Sequence, residues 1–198
     1  MAIKSAYALL SKNSYRLYEL NEGCWNSFQA AAAAGENTKT VAFVDGGNAE
    51  ILRTPTSEIH RIRTEVAVTS GKRLVMARQK EGYAIIKVLV NNADGDGKLF
   101  YEARFFDSNL DGGMLDSDTL EFQNGELAAK GNDASAMGKA AEITRKLAEL
   151  AAARWAAQNC SDAGFVVLDG TLETFGSKEQ KGMEILKAEA AANGVLLG

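Results

Sequence analysis

Apolar residues recur at loose helical spacing near the start of the chain. Ala6, Leu9, Leu10, Leu17, Leu20 and Trp25 precede an alanine run, Ala30 to Ala34. Gly23 divides this stretch, and Gly35-Glu36-Asn37 ends it. The period then changes. Val41 to Val44 is an unbroken apolar run that reads as a short buried strand, closed by Asp45-Gly46-Gly47. Ala49 to Arg53 reads as a second strand pairing back, broken by Pro55, the only proline. Across Ile59 to Val68, alternation sets His60, Ile62, Thr64, Val66 and Val68 on one face. Ile59, Arg61, Arg63 and Glu65 fall on the other, and Ile59 on that charged side calls for a bulge or a long curved strand.

Tyr83 to Val90 and Leu99 to Phe106 read as a hairpin about the Asp- and Gly-rich turn at 91–97. Residues 107–132 are polar and weakly periodic, and read as a loop with one short helix. Ala134 to Gln158 is the long helix, with Ile143, Leu147, Leu150, Ala151 and Trp155 on one face. Phe165 to Leu168 is a buried strand ending in Asp169-Gly170. A helix from Ser177 to Ala192 follows, with Ser177 and Gln180 spaced as a capping box, and Val195 to Leu197 begins another strand. Antiparallel strands followed by β-α-β alternation predict an α/β fold: one mixed sheet flanked by helices. The boundaries are an N-terminal helical extension over 1–38 and a core over 39–198.

Composition narrows the class. Apolar content of 46% and charged content of 24% suit a globular core of 198 residues. No apolar run is long enough to span a membrane, and the first residues lack the pattern of a signal peptide. Cys24 and Cys160 stand far apart, and His60 is the only histidine, which sets aside a Cys/His zinc site and points to the reducing cytoplasm. A net charge of −4 argues against broad affinity for nucleic acid. The most basic region, Arg53, Arg61, Arg63, Lys72 and Arg73, is a candidate contact for a DNA backbone, with a solvated strand face as the default. Asn92-x-Asp94-x-Asp96-Gly97 is weighed as a calcium loop and read as a hairpin turn. P-loop, dinucleotide and serine-elbow motifs are absent.

Two core strands ending in Asp-Gly place Asp45 and Asp169 at one edge of a sheet when the strands are neighbours. Asp-Gly is also an ordinary turn signal. Paired carboxylates there suit a hard divalent cation, and two such ions support in-line phosphoryl transfer. A third carboxylate is expected from the long helix, either Glu149 or Glu142, which lie two turns apart on roughly one side. The ordinary alternative for Glu149 is a solvated pair with Arg145 or Lys146.

Phe43-Val44-Asp45-Gly46-Gly47 and Val166-Val167-Leu168-Asp169-Gly170-Thr171-Leu172, with Arg145-Lys146-Leu147-Ala148-Glu149-Leu150 between them, resemble the NurA family of DNA-end-processing nucleases. The resemblance implies an RNase H-like core and a Mn²⁺- or Mg²⁺-dependent nuclease that acts on single-stranded and double-stranded DNA ends in double-strand break repair. It makes Asp45, Glu149 and Asp169 the catalytic, metal-binding carboxylates. It also implies a cytoplasmic homodimer working with a HerA-type hexameric translocase. The family's chains are longer, and the resemblance covers the first part of their pattern, so the C-terminal part of the family fold is expected to be missing. A second expectation follows: a non-catalytic or split module that binds DNA ends or a translocase and needs another polypeptide for activity. A phosphotransferase of the actin or sugar-kinase type, whose strands also end in Asp-Gly, needs a second nucleotide-binding half that this length does not hold.

Overall fold

A computed structural model describes residues 40–91, 98–106, 119–128, 135–160, 163–170, 172–174 and 176–198. The helical extension expected over 1–38, the turn within 92–97 and the residues Cys24, Trp25 and Phe175 lie outside that set. The strands are β1 (Thr40–Arg53), β2 (Ser57–Ser70), β3 (Arg73–Asn91), β4 (Lys98–Phe106), β5 (Thr119–Gln123), β6 (Ala163–Leu168) and β7 (Leu196–Leu197). The helices are α1 (Asn124–Ala128), α2 (Ala136–Asn159) and α3 (Ser177–Ala192). The fold is mixed α/β, built on a seven-stranded sheet in the order β5-β4-β3-β2-β1-β6-β7. Neighbours from β1 to β5 are antiparallel. β6 runs parallel to β1, and β7 parallel to β6.

The first strand differs from its sequence reading. Asp45-Gly46-Gly47 is not a turn, and Ala49 to Arg53 is not a second strand pairing back. β1 runs on through both glycines to Arg53 because β2 supplies an antiparallel partner along its length, from Thr69 opposite Val41 to Glu58 opposite Arg53, with one irregularity near Ile51. Nor is β1 apolar on two buried faces. Ala42 and Val44 are buried, whereas Phe43 and Asp45 are exposed on the other side. The irregularity signalled by Ile59 falls on the partner strand, as a register shift between Glu50 and Leu52. β3 begins at Arg73, ten residues before the strand read from sequence, because Gly71 takes a positive φ in a tight turn that starts the ladder at Ser70 and Arg73. β5 also went unread, since its five residues sit within a polar stretch.

Alternation along β2 decides which face is core. Glu58, His60, Ile62, Thr64, Val66 and Val68 are all buried. α2 lies on this face, against β1, β2, β3, β4 and β6. Its alanines, Ala140, Ala141, Ala148, Ala153, Ala156 and Ala157 among them, are buried and let the helix sit close to the strands. α1 and α3 both pack on α2 and share its layer. The opposite face carries exposed Phe43, Asp45 and Tyr83, and no helix covers it among the described residues. No described helix is long and apolar enough to cross a membrane.

Helix ends follow local chemistry at one helix and not the other. The Ser135 hydroxyl caps α2 by accepting from the Gly138 N–H at 3.0 Å, and also donates to Glu58 Oε1 at 3.3 Å. Ser135→Ala should lower unfolding free energy by about 1 kcal/mol, read as a reduced urea midpoint at unchanged slope. The capping box expected at Ser177 is not formed. Gly176 is the N-cap, without a side-chain bond, and Ser177 is already helical. Gln180 reaches Glu184 at 3.4 Å instead.

Candidate metal centre

The site begins where β6 stops and β1 continues. Val44 pairs with Leu168, the last residue of β6. The Asp169 N–H then donates to the Val44 carbonyl at 3.0 Å. Asp45 and Asp169 are therefore the next residues along two adjacent parallel strands, and both are exposed. From Asp45 onward the flank of β1 is no longer paired with β6, which leaves a notch in the sheet.

Glu149 approaches this notch from α2. Strand alternation turns Gly46 toward the helix, on the side of Ala42 and Val44. A Cβ built on Gly46 would stand 2.4 Å from Glu149 Cγ and 2.6 Å from Oε1, so glycine is what admits the carboxylate under β1. Glu149 is 2% exposed, which overturns its reading as a solvated surface residue. The ion pairs of that reading are present: Arg145 Nη1 donates to Glu149 Oε1, and Lys146 Nζ stands 3.4 Å from Oε2. Arg145 Nη1 also donates to the Gly46 carbonyl at 3.0 Å, tying the helix to β1. The Lys146 contact is long for a charge-assisted hydrogen bond, and Oε2 is buried with no hydrogen-bond partner. Glu142, the other sequence candidate, is exposed on α2.

Burial raises the Glu149 pKa above the ordinary carboxylate value, opposed by the charges of Arg145 and Lys146 and by the close approach of the Lys146 ammonium, and reinforced by the charge of Asp45. The folded chain therefore keeps a proton on Glu149 at pH values where the unfolded chain has lost it. Stability due to this group is full below the ordinary carboxyl range and falls as pH rises through the raised value. Glu149→Gln should remove that fall. Urea midpoints of the wild type and the variant between about pH 4 and pH 7 would measure the difference.

Asp45 and Asp169 follow paired positions on adjacent strands, and Glu149 comes from the helix layer to lie under β1 at Gly46. The three do not converge on one point. Among the described residues, the ligand atoms that lie within 4.8 Å of one another belong to Glu50, Glu58 and His60. Glu50 is exposed, and the other two belong to a satisfied buried network. Glu58 is fully buried and receives Arg53 Nε at 2.8 Å, His60 Nε2 at 2.9 Å and the Ser135 hydroxyl. Asn48 Nδ2 lies 3.4 Å from His60 Nδ1. With the amide as donor, Nδ1 accepts and Nε2 carries the proton to Glu58, so both ring nitrogens are used. A cation there would have to displace Arg53 or Asn48. The spacing of these residues matches no motif. Only the alternation that put His60 on the apolar face of β2 hinted that it was buried.

The basic residues are already partnered in part. Arg53 pairs with Glu50 and Glu58, Arg61 with Glu81, and Arg63 with Glu65 and Gln79. Arg61 and Glu81 shift one another in the expected sense: their hydrogen bond raises the guanidinium pKa and lowers that of the carboxyl. Arg73 is exposed at the start of β3. The groups at the notch, two exposed aspartates and a buried glutamate paired with Arg145 and Lys146, have the hard oxygen chemistry that suits Mg²⁺ or Mn²⁺. Comparison with family models, with curated proteins and with solved structures finds no match to this chain.

Proposed function

We propose that this chain is the core of a divalent-metal-dependent DNA nuclease of NurA type, with Asp45, Glu149 and Asp169 holding Mn²⁺ or Mg²⁺. The observation that carries the reading is Glu149, buried under β1 in the space that Gly46 leaves, one residue along from Asp45, whose neighbour across the strands is Asp169. The topology supports an RNase H-like core. The strands β3-β2-β1-β6-β7 form two antiparallel hairpin pairings followed by two parallel additions through helices, and β4 and β5 widen one edge.

A bound divalent ion would supply an activated water and charge neutralisation at a phosphodiester. The chain's own residues supply the frame. Asp45 and Asp169 face solvent, where a phosphate can approach, and Glu149 is fixed from below by Arg145. Arg61 and Arg63 lie along β2 on the face of Asp45 and would contact a DNA backbone by exchanging carboxylate partners for phosphate. Arg73 is free of that exchange in position, at the far end of the hairpin, whereas Arg53 is committed to buried Glu58. In the cell this reading makes DNA ends the substrate, a second copy and a HerA-type translocase the partners, and the cytoplasm the location.

The test is Mn²⁺-dependent cleavage of linear single- and double-stranded DNA by the full chain, beside direct Mn²⁺ titration. A chain that neither binds the ion nor cuts DNA rejects the proposal. A second reading rests on the lack of convergence of the three carboxylates: a module that binds the ion and cuts only when a translocase or second polypeptide is added.

A further inference from the structure

We propose that Arg145 is a lock on Glu149 that a phosphodiester releases, so that metal and DNA backbone bind this site cooperatively; the proposal rests on the metal-centre reading above. Glu149 Oε1 is held by Arg145 Nη1, which also holds the Gly46 carbonyl. Lys146 stands at Oε2. A divalent cation reaching the notch therefore meets a carboxylate already neutralised, with two positive charges beside it. Like charges so close oppose the ion, and one carboxylate oxygen is occupied.

The lock is built to open outward. The Glu149 side chain is 3% exposed, whereas that of Arg145 is 29% exposed. A single nitrogen, Nη1, makes both interior contacts, and the side chain is partly open to solvent. A guanidinium presents its donors in a planar fork that matches phosphate as well as carboxylate. The exposed pair Asp45 and Asp169 marks where a phosphate meets the ion, and Arg145 is tied to Gly46, the residue next to Asp45. A phosphodiester at the notch gives Arg145 a second anionic partner. As the guanidinium turns to it, Oε1 is freed for the ion. Each ligand thereby raises the affinity for the other, which is a reciprocal coupling. Arg145 is a positioning residue on this account and not a metal ligand.

The experiment is a Mn²⁺ titration followed by electron paramagnetic resonance, on the full chain, with and without a phosphorothioate-linked single-stranded oligonucleotide and against an oligonucleotide blank. Wild type should bind Mn²⁺ weakly alone and roughly tenfold more tightly with the oligonucleotide, within the usual range of coupling between sites. Arg145→Gln should bind Mn²⁺ tightly without the oligonucleotide and gain little from it. Arg145→Lys keeps the charge but cannot span Gly46 and Glu149 together, and should fall between; it serves if the Gln variant does not fold. Equal Mn²⁺ affinity in wild type and both variants, with the oligonucleotide effect intact, overturns the lock while leaving the metal centre standing. If Asp45→Asn and Glu149→Gln bind Mn²⁺ as wild type does, the metal centre itself fails and the lock falls with it.

Discussion

Asp45→Asn should abolish Mn²⁺-dependent DNA cleavage while leaving the melting transition in place or slightly raised. Partners outside the first coordination sphere are worth about 10–100-fold in metal affinity or activity, so loss of a ligand should exceed a hundredfold. The fold should not suffer. Asp45 is exposed, and across the β1–β2 ladder it stands opposite Glu65, a like charge on the same face. Directly opposed like charges destabilise a sheet, and the amide removes one of them. A residue that folding would rather replace, placed beside Asp169, is the pattern expected of a functional carboxylate. Cleavage at the wild-type rate by a clean preparation of the variant would sink the assignment.

Gly46→Ala should destabilise the chain by about 1–3 kcal/mol, although alanine is intrinsically the better strand residue. The backbone term alone favours alanine over glycine by about 0.5–1 kcal/mol. The contact term decides. The new methyl would lie 2.4 Å from Glu149 Cγ, an atom near the root of a buried side chain whose far end Arg145 holds. Cγ cannot move aside without breaking that pair. Gly47→Ala is the internal control: nothing lies within 4 Å of its Cβ, so the backbone term should prevail and the variant should hold or gain stability. Guanidinium denaturation of both variants compares the two terms. A Gly46→Ala variant as stable as Gly47→Ala would show that Glu149 is not clamped under β1.

Long, strongly patterned segments were legible in the sequence. α2 lies within two residues of its expected span, with Ile143, Leu147 and Leu150 inward, and α3 matches at both ends. β6, with Asp169 just past its end, was legible because four apolar residues ran together. What the sequence hid was long-range. The Asp45-Gly46-Gly47 tripeptide carries a turn signal locally, and only the partner strand β2 keeps it extended. Local pattern could not say that Gly46 makes room for Glu149, since the helix that fills the space arrives a hundred residues later. Nor could it rank Glu142 against Glu149: both sit on one side of α2 by spacing, and burial alone separates them. The pairing of Arg145 with Glu149 was readable from their i, i+4 spacing, and its second grip, on the Gly46 carbonyl, was not.

The β1–β6 seam also governs this chain as a polymer. Val44 and Leu168 meet although more than a hundred residues run between them, whereas the hairpins of β1 to β5 pair neighbours in sequence. Closing so long a loop is opposed by its entropy, and here the seam that closes it is short. An ion gripping both Asp45 and Asp169 would act as a removable staple across that loop. It would bind the closed chain and not the open one, so its binding free energy would add to the stability of the whole sheet. Withdrawing it with a chelator would return the closure to the β1–β6 pairing and to α2, which packs on both strands.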